Sequence, residues 1–116
     1  NISPFFIVLL LWYPCFETLF SIIRKNIMNK SALYPDSMHL HQHIFFIIKE
    51  KFKLKVLLSN ITSAFLINAY NMLIFTFSVN FASNSQVQII LIFLNVLLYS
   101  FIYFKTFVIR YKKYEK

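Results

Sequence analysis

Three long apolar runs, at residues 2–23, 54–79 and 87–109, constrain this chain more than any other feature. Each is long enough, at about 1.5 Å of helical rise per residue, to cross roughly 30 Å of hydrocarbon. In that solvent every backbone N–H and C=O must be satisfied within the segment, so all three runs are expected to be helices. Composition agrees: 59% of the residues are hydrophobic and 14% charged, where soluble domains carry roughly 25% charged residues. At a mean hydropathy of +0.62 a soluble fold would expose far too much apolar surface. The expected fold is an all-α membrane protein with three transmembrane helices.

Punctuation and charge refine that expectation. Pro14 lacks a backbone donor and is expected to kink the first span near its middle. Arg24, Lys25, Lys30, Lys49, Lys51, Lys53 and Lys55 lie between the first two spans, and Lys105, Arg110, Lys112, Lys113 and Lys116 close the third or follow it. The 80–86 turn has no charge. Positive residues stay inside, so loop 24–53 and the C-terminus are expected to be cytoplasmic, with Asn1 and the turn outside. That describes a multi-pass protein of the plasma (inner) membrane. The net charge of +8 does not point to nucleic acid, because these cations border spans and meet lipid headgroups first.

Residues 44–53 are apolar in front and basic behind, as expected of an interfacial helix. Within the spans, polar residues recur at helical spacing: Asn60, Ala64, Asn68, Asn71 and Ser78 in the second, Gln88, Asn95, Tyr99 and Tyr103 in the third. Amides are costly in lipid, so both stripes are expected to face protein and to require further helices. An N-terminal portion is expected to be missing, since Asn1 is followed almost at once by apolar sequence with no signal-peptide features. Cys15, the only cysteine, reads as a small packing residue.

Chemistry concentrates in residues 35–43, which hold all three histidines, His39, His41 and His43, and the only aspartate, Asp36. Imidazoles and carboxylates gain nothing from lipid, so this polar loop is where function is expected. Glu17, inside the first span, is expected to be functional or tightly paired, with Arg24 two turns below it on the same face.

With its flanks the loop resembles the C-terminal part of the MraY/WecA-like polyprenyl-phosphate sugar-1-phosphate transferases, glycosyltransferase family 4. The resemblance is carried by Pro14 and Glu17-Thr18, by the basic pair Arg24-Lys25 closing the helix, and by Pro35-Asp36-Ser37-Met38-His39-Leu40-His41-Gln42. It covers residues 14–43, and the rest of the chain matches only as two further helices with a basic tail. Glu17 stands where the family usually has Asp, Ser37 where Arg is common, and Gln42 where a second His is usual, with His43 one place later. Ser37 thereby loses a candidate phosphate ligand.

The resemblance implies a C-terminal fragment of a larger bundle that transfers a sugar-1-phosphate from a UDP-sugar to undecaprenyl or another polyprenyl phosphate. It also implies Mg²⁺ and surface-polysaccharide or peptidoglycan synthesis, with a slight lean to the former. His39, His41 and Asp36 are the implied substrate-binding residues, supported by Glu17, Arg24, Gln42 and His43. No catalytic residue and no metal ligand is assigned here: the family's metal-binding aspartates lie in earlier loops, so the fragment alone is expected to be inactive. Two other functions fit the bare sequence. One is a small cation transporter, with the three histidines on one side of an extended segment and imidazoles suited to zinc or nickel. The other is an accessory membrane protein.

Overall fold

The computed structural model describes residues 1–112; the tail residues Lys113, Tyr114, Glu115 and Lys116, two of them counted above as basic markers, lie outside the described residues. All its regular structure is helical: α1 (Pro4–Leu10), α2 (Trp12–Ile27), α3 (Leu40–Phe52), α4 (Val56–Val79) and α5 (Ser85–Lys112). α4 and α5 are long and apolar enough to cross a membrane, and α1 with α2 makes a third crossing if the bent pair is one broken span.

The first apolar run is therefore not one kinked helix. It breaks at Leu11 with a bend of 69°, one turn before the expected kink. The proline ring clashes with the carbonyl four residues back and offers it no N–H. For Pro14 that carbonyl belongs to Leu10, the last residue of α1, and Pro14 itself falls in the first turn of α2, where a missing donor costs nothing.

α2 ends without a glycine, since the chain has none. Asn29 takes the left-handed conformation at φ 53°, with Lys30 N–H donating to Lys25 O at 2.8 Å and Asn29 N–H to Asn26 O at 3.1 Å. This is the paired hydrogen-bond pattern of a Schellman cap. A β-branched residue tolerates that conformation poorly, so Asn29→Val is expected to lower stability by about 1–2 kcal/mol, read as a lower Tm, whereas Asn29→Gly should not.

The ends of the helices are tied in two groups. Ser3 N–H donates to Ala82 O at 2.8 Å and the Ser3 and Ser85 hydroxyls lie 2.8 Å apart, which joins the N-terminus to the α4–α5 turn. At the other end Tyr103 and Arg110 of α5 reach back to Met38 O and Ser37 O, at 2.9 Å each. The N-terminus and the 80–86 turn thus lie together at one end of the helices, and residues 37–38 lie with the C-terminal part of α5 at the other. α3 lies across both α4 and α5, which touch each other less than either touches α3. Leu9, Trp12, Leu40, Tyr99 and Tyr103 form the buried centre.

The polar stripe of α5 is as expected: Gln88, Asn95, Tyr99 and Tyr103 are all buried. Gln88 Nε2 donates to Ser78 O at 3.0 Å and Phe81 O at 2.8 Å, and the Tyr70 hydroxyl donates to Asn95 Oδ1. The stripe of α4 is fully buried as expected only at Ser78. Its inward face carries Ser59, Ser63 and Ser78, while Asn60, Ala64 and Asn68 are exposed and Asn71 is half-buried. Serines lie inward because their hydroxyls bond back to their own helix, Ser59 to Lys55 O and Ser63 to Asn60 O, and leave room for close packing.

Candidate functional site

Arg24, in the last turn of α2, organises the polar segment. Its side chain is 12% exposed and pairs with Asp36, which is 8% exposed. The same guanidinium donates to Met38 O at 2.7 Å, the Tyr103 hydroxyl at 2.6 Å and Ser21 Oγ at 3.4 Å. Asp36 Oδ1 accepts from Met38 N–H at 3.0 Å, and Oδ2 accepts from Ser21 Oγ at 3.0 Å. Asp36 is thus occupied in holding the loop, and Arg24 joins α2, the loop and α5 in one node.

Glu17 does a second, separate job one face turn away. Its Oε1 accepts from Leu40 N–H at 2.9 Å and lies 3.1 Å from His39 Nδ1. A carboxylate at the first N–H of α3 satisfies an orphan donor and lies at the positive end of the helix dipole. Glu17 is accordingly tightly paired, at 12% exposure, but with His39 and not with Arg24. Since carboxylate oxygens only accept, His39 Nδ1 carries a proton, and Nε2 takes no part in this pair.

These contacts also start α3 earlier than expected. Glu17 meets Leu40 N–H, and Gln42 Oε1 accepts from His39 N–H at 3.0 Å, the side-chain half of a capping box. The helix therefore begins at Leu40, so His41 and His43 are helical, and of the segment expected as loop 24–53 only residues 28–39 and Lys53 lie outside helices. Two residues of helix turn a side chain by about 200°, which sends the last two histidines apart. His41 is exposed and stacks on His39, ring centroids 5.8 Å apart at 11°. Its pKa lies below the usual imidazole value, chiefly through shielding by neighbouring groups, with Glu17 pulling the other way and His39 adding to the shift.

His43 is 0% exposed. It packs edge-on against Tyr103 and Phe107, with centroids at 5.1 and 5.8 Å. Arg110 Nη1 lies 3.2 Å from His43 Nδ1, and a guanidinium can only donate, so His43 is neutral with its proton on Nε2. Burial first, then Arg110 and Arg24, push its pKa down to about 4. His43 is a packing residue between α3 and α5, and the extended three-histidine array required by the transporter reading does not form.

The carboxylates do not suit Mg²⁺, which asks for carboxylate oxygens in near-ideal octahedral geometry. Both oxygens of Asp36 and one of Glu17 are taken by internal partners, and among the described residues no group of three His, Cys, Asp or Glu converges on a point. Two contributors escaped the sequence reading. Tyr103 was read only as part of a polar stripe, and Arg110 only as a topology marker; both turn out to hold the loop. Spacing within one helix carries no sign of a partner in another.

Beside the Glu17–His39 pair, between α2, α3, α4 and α5, lies an apolar cavity of about 200 Å³, lined by Tyr13, Leu40, Ile44, Tyr70 and Tyr99 among others. No protein-family model matches the chain, and neither a curated protein nor a solved structure is significantly similar to it.

Proposed function

We propose that this chain is the C-terminal part of an integral membrane transferase that moves a sugar-1-phosphate from a UDP-sugar to a polyprenyl phosphate in cell-envelope polysaccharide synthesis. The observation that carries the reading is the pairing of Glu17 with His39, 22 residues apart, which joins the two halves of the motif by a side-chain hydrogen bond. On this reading Glu17 orients His39 through Nδ1 and leaves Nε2 to accept from a sugar hydroxyl, or to donate to a phosphate oxygen when both ring nitrogens are protonated. His41, stacked beside it and exposed, offers a second imidazole to the same ligand. A carboxylate behind an imidazole fixes tautomer and ring orientation, and this orientation strengthens a hydrogen bond to developing charge. The apolar cavity next to the pair has the surface an isoprenoid chain would require, within reach of Leu40 at the start of α3. The loop and the end of α5 face the cytoplasm, where the UDP-sugar is supplied. Mg²⁺, which the resemblance implies, would be held by residues outside this chain, and no step here passes through it.

In the full-length protein, His39→Ala and His41→Ala are each expected to lower turnover by about ten- to a hundredfold, the loss of one charge-assisted hydrogen bond. UMP release from UDP-N-acetylhexosamine in membranes supplied with polyprenyl phosphate measures this. Glu17→Gln should lower turnover as well, since the amide no longer provides the charge that holds His39. Wild-type turnover in both histidine variants, at equal protein level, would sink the proposal.

A further inference from the structure

Large apolar side chains stand exposed where α2 ends and the chain turns back: Ile27 at 76%, Met28 at 45%, Leu33 at 95% and Tyr34 at 72%. Single exposed apolar residues are ordinary on any surface, but a contiguous group marks a contact. This group is continuous with the helix before it. Leu19, Ile23 and Ile27 are spaced four apart, so they share one face of α2, and all three are exposed. On a helix read as the second half of a broken span that face meets lipid, and the turn prolongs it.

The height of the turn follows from its ties to α5. Arg24, one turn before Ile27, donates to the Tyr103 hydroxyl at 2.6 Å, and Ser37 O accepts from Arg110 Nη1 at 2.9 Å. At about 1.5 Å of rise per residue, Tyr103 lies about 27 Å along α5 from Ser85, and Arg110 about 38 Å. A bilayer holds roughly 30 Å of hydrocarbon within a total of roughly 40–45 Å. With Ser85, the start of α5, at one edge of the hydrocarbon, residues 27–37 fall between its opposite edge and the outer part of the headgroup layer.

The backbone of the turn suits that level. Lys25 Nζ donates to Ala32 O at 3.2 Å and to Tyr34 O at 2.5 Å. Ser31 Oγ accepts from Leu33 N–H at 3.3 Å, and Ser31 O accepts from Tyr34 N–H at 3.4 Å. The Schellman cap at Asn29 pairs the N–H groups of Asn29 and Lys30. A loop in water needs none of these partners, whereas backbone groups that leave water must find them.

We propose that the turn at residues 27–34 is inserted into the bilayer surface, where Ile27, Met28, Leu33 and Tyr34 anchor it. Its occupant is lipid: the hydrocarbon boundary that the outer face of α2 already meets takes these side chains as well. Tyr34 fits the boundary, with an apolar ring and a hydroxyl that stays wet. Asp36 and His39 follow directly in the chain, so the anchor sets the height of the polar segment over the membrane. The proposal rests on the spans and not on the transferase reading, and its test uses no substrate.

The test places an environment-sensitive dye on the full chain in phosphatidylcholine discs, which leave both membrane faces open to solutes. Cys15→Ser removes the native thiol, and nitrobenzoxadiazole is attached at Leu33→Cys, Tyr34→Cys or Lys112→Cys. Lys112, the last residue of α5, lies about 40 Å along it and reports water. At Leu33 and Tyr34 the dye is expected to emit to the blue of the Lys112 dye, to resist aqueous iodide, and to be quenched by lipid brominated near the headgroup end of its acyl chains. Leu33 is 95% exposed, so its replacement leaves packing untouched, and an unaltered Tm checks this. Iodide quenching at Leu33 and Tyr34 equal to that at Lys112 overturns the proposal, since the turn would then stand in water. Blue-shifted emission that neither quencher reaches also overturns it, because protein and not lipid would then cover the turn.

Discussion

Replacing Arg24 with methionine is expected to destabilise the protein by about 3–5 kcal/mol, the cost of leaving one partner of a buried ion pair uncompensated. The substitution also removes donors from Met38 O, the Tyr103 hydroxyl and Ser21. Asp36 would keep Ser21 and Met38 N–H, which is too little to hold an 8%-exposed carboxylate in place. Two consequences separate this from a general loss of packing. First, amides at 36–40 should lose hydrogen-exchange protection before those of α4 and α5, because the node holds the loop in place while α4 and α5 keep their own helical hydrogen bonds. Second, the double change Arg24→Met with Asp36→Leu should recover much of the loss, since a buried pair replaced by apolar groups of similar volume is often neutral. Thermal unfolding of the four-member cycle gives the coupling energy. A single Arg24→Met change within about 1 kcal/mol of wild type would mean that the pair lies at a wetter surface than its exposure suggests.

The long apolar runs announced α4 and α5 correctly because hydrocarbon length and helical rise admit few alternatives. The buried face of α5 was equally legible: Gln88, Asn95, Tyr99 and Tyr103 are all costly in lipid and share a face, so they point inward together. The same logic failed on α4, where Asn60 and Asn68 are exposed and small serines take the interior. Helical spacing says which residues share a face but not which face a neighbour covers, and hydroxyls that bond back to their own helix compete well for the inside. The break at Leu11 was half-legible: Pro14 gave the cause, but the damage falls on the carbonyl four residues earlier. At the site, the residues of interest were visible as a cluster, but their roles were not. Asp36, read as a substrate ligand, is paired with Arg24; His43, read as a supporting residue and as one of three ligands only in the transporter alternative, is buried packing. Those assignments depend on Glu17 and Gln42 starting α3 at Leu40, a long-range and a local contact acting together.

Lowering the pH from about 6.5 to 4 is expected to remove about 3 kcal/mol of the stability with which α3 is held on α5, through His43 alone. The imidazole is wholly buried, accepts a hydrogen bond from Arg110 and has its pKa pushed down to about 4. A proton on Nδ1 would abolish that bond and set a second cation against Arg110, with Arg24 also nearby. Glu17 opposes this but is outweighed by burial and the two arginines; Tyr103, Phe107 and Tyr111 otherwise surround the ring. The folded pKa is depressed below its unfolded value, so between the two values the unfolded state binds the extra proton. Stability is therefore complete above about pH 6.5, falls by roughly 1.4 kcal/mol per unit on the way down, and levels off below about pH 4. Denaturant unfolding at a series of pH values, followed by exchange protection of residues 40–52, reads the slope. His43→Gln, which keeps a polar partner for Arg110 but does not titrate, should be less stable at neutral pH and flat across the same window. A variant whose slope between pH 6.5 and 4 matches the wild type would show that His43 is not the group that couples α3 to α5.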